Sequence, residues 1–152
     1  LRGLPRTPAV RCELYFDGAS IGNPGPAGYG YVIRCGDSVY RGSGHVGEAT
    51  NNVAEYTGLI EGLRKCLELG CKVLVVFSDS ELVVRQLRGE YKVRSRRILP
   101  LYRAAVELMG RFDSVEVRHV RREMNAEADR LAREAAESGA SRAGSREKGG
   151  GG

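Results

Sequence analysis

Four carboxylates in this chain stand where a carboxylate is awkward. Asp17 closes the apolar run Leu14-Tyr15-Phe16, and Asp79 closes another, Val73 to Ser78. Glu55 and Asp129 fall on the flanks of apolar stripes with helical spacing. An ionised carboxylate pressed toward a core is costly unless something pairs with it. Several that converge repel one another, and a divalent cation relieves that repulsion. The pattern points to metal-dependent chemistry if the fold gathers the four. If it does not, they are unrelated surface groups.

The elements that must do the gathering can be read from periodicity. Residues 11–17 suit a strand, and the stretch from Gly18 to Gly28 is dense in turn formers. Strands at 28–35 and 38–46, joined by a tight turn at Gly36-Asp37, complete an antiparallel meander. A helix is predicted over 51–69, with Asn51 as its N-cap and Val53, Tyr56, Leu59, Ile60, Leu63, Cys66 and Leu67 as its apolar stripe. Residues 72–78 form an almost continuous apolar run, the mark of a strand covered on both faces. A short helix to Leu87, a basic loop from Gly89 to Arg97, a helix at 98–111, a strand at 114–120 and a helix at 125–137 follow. The order β-β-β-α-β-α-α-β-α implies an α/β fold with a five-stranded mixed sheet flanked by helices. Asp17 and Asp79 would lie side by side if their strands pair, with Glu55 and Asp129 reaching them from helices.

Bulk properties narrow the partners. The 152 residues suit one domain, expected over 11–137, with a flexible arm at 1–10 and a disordered Ser/Gly/Ala/Arg-rich tail at 138–152. No apolar run approaches the roughly 20 residues that span a bilayer, so no membrane role is expected. Net charge is +5, and its distribution matters more than its size. Seven basic residues stand against one acid between Arg85 and Arg103. A nearly single-sign block invites phosphate. Cys12, Cys35, Cys66 and Cys71 form no CxxC pair. They read as reduced, mostly buried thiols of a cytoplasmic protein, with a Cys66–Cys71 bridge left open.

Four stretches carry a family likeness. Tyr15-Phe16-Asp17-Gly18-Ala19-Ser20-Ile21-Gly22-Asn23-Pro24-Gly25-Pro26-Ala27-Gly28-Tyr29-Gly30 is the first and Thr50-Asn51-Asn52-Val53-Ala54-Glu55-Tyr56 the second. Ser78-Asp79-Ser80 and Asn125-Ala126-Glu127-Ala128-Asp129-Arg130-Leu131-Ala132 complete the set. Each is weak alone. Together and in this order, over about residues 13–137, they closely resemble type 1 ribonuclease H, especially its short archaeal and bacterial forms. The resemblance implies a ribonuclease H-like fold and endonucleolytic cleavage of the RNA strand of RNA–DNA hybrids by a monomer. It also implies two Mg²⁺ or Mn²⁺ ions held by Asp17, Glu55, Asp79 and Asp129, with Asp17 between them. Asn23, Asn51 and Asn52 match positions that contact the minor groove of the hybrid, where the 2′-hydroxyl distinguishes RNA. Thr50 matches a contact to a DNA-strand phosphate. Gly18 and Gly22 would let the backbone approach the sugar–phosphate chain. Arg94, Arg96 and Arg97 are the members of the basic block expected to meet phosphate.

The likeness has gaps. The stretch Val120-Arg121-Arg122-Glu123-Met124-Asn125 replaces the Gly-rich loop that carries a catalytic His in many relatives. His119 is expected to be structural, and Arg121, Arg122 and Glu123 are candidate substitutes. Glu81 stands where many relatives have Gln, and the aromatic-rich basic protrusion is absent. Broader activity on double-stranded RNA stays open as a variant. A non-catalytic nucleic-acid-binding module on the same fold is the alternative from another class. A DNA recombinase on this sheet has less support, since it gives the Asn pair no role.

Overall fold

The computed structural model describes residues 10–151, with side chains through residue 140. Five strands, β1 (Val10–Ser20), β2 (Gly25–Cys35), β3 (Ser38–Ala49), β4 (Cys71–Ser78) and β5 (Ser114–His119), form one sheet in the order β3-β2-β1-β4-β5. The first three pair antiparallel, and β1–β4 and β4–β5 pair parallel. Helices α1 (Asn51–Glu68), α2 (Glu81–Leu87), α3 (Ile98–Met109) and α4 (Ala126–Gly151) complete the fold, with a 3₁₀ turn at Arg122–Asn125 before α4. The expected α/β architecture with a mixed five-stranded sheet is the one found. No helix among the described residues is long and apolar enough to cross a membrane.

The main core lies between the sheet and α1. Leu14, Phe16, Ile33, Leu74 and Val76 from the strands meet Tyr56, Leu59 and Leu63 of α1, all essentially inaccessible to water. Full burial of each large apolar side chain contributes about 1.5–3 kcal/mol. Residues of opposite parity face α4. Gly28 and Gly30 of β2 have no side chain because the backbone of α4 near Ala128, Ala132 and Ala136 fills that space. Small residues on both partners let α4 lie directly against the sheet, which carries Asp129 toward Asp17 within β1 and Asp79 at the end of β4.

Several boundaries depart from those read in the sequence. The turn-rich stretch Gly18 to Gly28 is mostly strand: β1 and β2 run on through it, and only residues 21–24 turn. Gly18 and Gly28 answer to packing against helices, whereas Gly22, at φ +91°, and Gly25, against the Ile21 backbone, answer to chain reversal. Asp17 therefore lies inside β1, opposite Gly30, instead of at its end. The N-cap of α1 is Thr50, whose hydroxyl accepts a hydrogen bond from the Val53 N–H at 3.3 Å, and not Asn51. α4 is longer than the expected helix at 125–137. Its backbone is helical through Gly151, and Gly139 is buried against the His45 ring of β3. The arm expected at 1–10 lies outside the described residues except for Val10, which begins β1.

The reduced-thiol reading is corrected for two of the four cysteines. Cys12 and Cys35 are direct cross-strand partners on β1 and β2 and form a disulfide, with Cα atoms 4.4 Å apart. Cys66 and Cys71 are free and buried, with no bridge between them. Register decides the pairing: the antiparallel ladder centred on the turn near Asn23-Pro24 sets Cys12 against Cys35.

Candidate active site

Parallel pairing of β1 with β4, in the register Tyr15↔Phe77, puts Asp17 and Asp79 level with each other. Glu55 is in the second turn of α1. It reaches the same place because Gly18 lets β1 touch the helix: a Cβ at Gly18 would land on the Glu55 backbone nitrogen and the Ala54 carbonyl carbon. Gly18 is thus a positioning glycine for Glu55, and it also lines the cleft the acids share. Asp129 comes from the first turn of α4 and is ion-paired to Arg133 one turn on, at 2.9 Å.

Asp17, Glu55, Asp79 and Asp129 line one cleft of about 410 Å³, with Gly18, Asn51, Arg122 and Arg133 among its walls. Among the described residues, no three His, Cys, Asp or Glu side chains approach closely enough to grip an ion without moving. Burial pushes the Asp17 carboxyl up to about 8, with the charge of Asp79 adding to it; the Gly18 N–H, donating to Asp17 Oδ1 at 2.9 Å, offsets part. Burial likewise lifts Glu55 to about 7, again helped by Asp79 and opposed by the Ser80 hydroxyl. Four hard oxygen donors gathered in one cleft fit a divalent cation, and a Mg²⁺-like ion that keeps some of its waters suits an open cleft. They do not fit a soft metal.

The remaining candidates extend this cleft. Asn23, Thr50, Asn51, Asn52, Ser95, Arg97 and Glu55 line a second depression, which shares Asn51 and Glu55 with the first. Asn23 Oδ1 accepts from the Asn51 backbone N–H at 2.9 Å, tying the β1–β2 turn to the start of α1. A third groove shares Asn52, Ser95 and Ile98 and adds Tyr91, Lys92 and Arg94. Arg94 and Arg97 therefore join one track with the acids, whereas exposed Arg96 lines none of the three.

Residues 15–135 match the family model described as "Reverse transcriptase-like". The fold superposes on the N-terminal RNase H domain of Rv2228c from Mycobacterium tuberculosis with a TM-score of 0.86 and 42% identity, covering 89% of this chain and 99% of that one. RNase H1 from Halobacterium salinarum gives 0.80 and 41%, covering 84% and 98%. The chain belongs to the ribonuclease H family. A further member, LC11-RNase H1, solved in complex with RNA/DNA hybrid, matches with a TM-score of 0.77 and 36% identity over 84% of this chain and 97% of that one. The chain spans 37% of the length of full Rv2228c and 64% of the Halobacterium ribonuclease HI.

Within this ribonuclease H domain the departures noted in the sequence find physical accounts. Glu81 is engaged by Arg85 at 2.9 Å, and Arg85 also reaches Glu90 and lies 5.4 Å over the Tyr91 ring. That acid is neutralised in place. His119 sits at the end of β5 with Nε2 3.2 Å from the Asp79 carbonyl oxygen and does not line the cleft, whereas Arg122 does. Sequence reasoning assigned no role to Arg133 or Asn125. Arg133 was findable from its i+4 spacing to Asp129. Asn125 heads the fourth family stretch, but its burial against Phe16 and Asp79 is a tertiary fact.

Proposed function

We propose that this chain is an endoribonuclease that hydrolyses the RNA strand of RNA–DNA hybrids, with two divalent ions, Mg²⁺ or Mn²⁺, held by Asp17, Glu55, Asp79 and Asp129. The observation that carries the reading is the continuity of the four-acid cleft with the depression lined by Asn23, Thr50, Asn51, Asn52 and Arg97. The family is divalent-metal dependent. Two such ions supply activation of the attacking water and stabilisation of the leaving oxygen. A relative with 36% identity was solved with an RNA/DNA hybrid.

The residues of the chain divide the remaining work. With its backbone N–H taken by Asn23, Asn51 keeps its side-chain amide for a ribose 2′-hydroxyl, which both donates and accepts. Asn52 is exposed beside it and can do the same at a neighbouring sugar. The Thr50 hydroxyl accepts from Val53 and so retains its own hydrogen for a phosphate oxygen. Arg94 and Arg97 supply charge along the track, and Arg122 and Arg133 supply it at the cleft wall. The proposal includes a monomer acting in the cytoplasm, where such hybrids arise.

Labelled substrates of one sequence, presented as hybrid, RNA duplex and DNA duplex, test the reading with and without divalent ions. The expected result is cutting of the hybrid's RNA strand, arrested by chelation, with DNA duplex intact. Equal cutting of DNA duplex, or cleavage that survives chelation, would overturn it. The RNA-duplex arm shows whether selectivity extends to the DNA strand.

A further inference from the structure

Asn125 closes the 3₁₀ turn before α4 and is 1% exposed. Its Nδ2 makes two hydrogen bonds, one to the Phe16 carbonyl oxygen at 2.9 Å and one to Asp79 Oδ2 at 2.8 Å. Both neighbours are acceptors only, which fixes the amide with its nitrogen toward them. Its Oδ1 is buried and has no hydrogen-bond partner among the described residues. Leaving a buried carbonyl unpaired is unfavourable, so this orientation is imposed by what Nδ2 holds.

What Nδ2 holds is the frame of the site. Phe16 immediately precedes Asp17, Asp79 follows β4, and Asn125 stands four residues before Asp129. One nitrogen thus ties the backbone next to one acid to the carboxylate of a second, from the segment that leads to a third. Parallel pairing of β1 with β4 stops at Tyr15↔Phe77, so no ladder hydrogen bond locks the two strands at the level of Asp17 and Asp79. Asp17 and Asp79 repel each other. The double donor opposes that repulsion and engages one Asp79 oxygen, leaving Oδ1 as the oxygen free of it.

We infer that Asn125 is a positioning residue that makes Asp79 a one-oxygen ligand at a fixed separation from Asp17, and that this fixed geometry favours Mg²⁺ over larger ions. The inference rests on the divalent-ion reading above. Mg²⁺ demands near-ideal octahedral geometry, while Ca²⁺ accepts six to eight oxygens in flexible arrangements. A side chain that only held the fold together would affect both ions alike. One that sets ligand geometry affects Mg²⁺ selectively.

Calorimetric titration of the full chain with Mg²⁺ and with Ca²⁺, without nucleic acid, provides the test. Asn125→Ala is expected to weaken Mg²⁺ binding about 10-fold or more, in the range for loss of a partner that orients a metal ligand, with Ca²⁺ binding changed much less. In the cleavage assay kcat should fall while KM for the hybrid holds. Asn125→Ser serves if Asn125→Ala does not fold by circular dichroism. Equal loss for both ions, no loss for either, or failure of both variants to fold overturns the inference. Absence of divalent binding by the unsubstituted chain overturns the metal reading instead.

Discussion

The acid cleft and the basic track are neighbours built on opposite principles. The cleft is assembled from the core outward. Strand register sets Asp17 beside Asp79, Gly18 admits α1 so that Glu55 can reach them, and buried Asn125 ties Asp79 to β1. The track is assembled from the surface: Lys92, Arg94 and Arg97 are exposed on the loop between α2 and α3. Groups fixed by packing can be expensive in electrostatics because the fold holds them there. Groups on a loop contribute additively and weakly. On the proposed function, chemistry therefore depends on single residues, and grip on substrate depends on their sum.

Removing an acid should give the largest effect. Asp79→Asn is expected to cut turnover on the order of 10³-fold or more, as loss of one preorganised catalytic group does, while substrate binding and the circular dichroism spectrum stay near normal. Retained turnover would remove Asp79 from the catalytic set. Gly18→Ala tests whether packing builds the cleft. The added methyl collides with backbone at Ala54–Glu55, and overpacking of this kind costs about 1–3 kcal/mol or more. Denaturant unfolding should show that loss, and cleavage should fall with it. If stability is unchanged, Gly18 does not position Glu55.

The electrostatic cost should also appear as a pH dependence. Asp17 and Glu55 have carboxyls raised to about 8 and about 7. Between ordinary carboxylate values and those raised ones, the folded state holds more protons than the unfolded state. Stability without divalent ions should therefore fall as pH rises from about 4.5 to 8. Mg²⁺ should raise Tm more at pH 8 than at pH 5. A Tm that climbs steadily over that range without divalent ions contradicts the raised values.

The track should yield the smallest effect per residue. Joint replacement of Arg94, Arg96 and Arg97 by Ala is expected to raise KM and flatten the salt dependence of binding by about one unit of log–log slope for each arginine that meets phosphate. Because Arg96 lines none of the three depressions, its single replacement should change the slope least. A fall in kcat at saturating substrate would mean that the loop enters the chemistry and that the contrast between the regions is wrong.

Much of this molecule is legible in the linear chain. Helices and strands announce themselves through local periodicity, so their order, and with it the mixed sheet, follows from the residues. The four acids stand out because each interrupts or flanks an apolar pattern. What misleads is glycine, which reads as a turn former whether it turns the chain or admits a helix. The stretch Gly18 to Gly28 looks like a loop but is strand laid against α1 and α4. The Cys12–Cys35 bridge was hidden by the same misreading, since it follows from the β1–β2 register only if both strands run up to the turn at residues 21–24. Choosing Asn51 over Thr50 as N-cap failed because both are good caps, and the choice turns on which side chain faces the helix end.

Residue types, their order and their local spacing are properties of the chain itself, and they determined the elements, the acid quartet and the family likeness. Convergence of those acids into one cleft, the pairing of Cys12 with Cys35 and the hold of Asn125 on Asp79 were decided by the tertiary structure. They depend on strand register and helix approach, which arise from contacts between residues far apart in the chain, and no local window contains both partners.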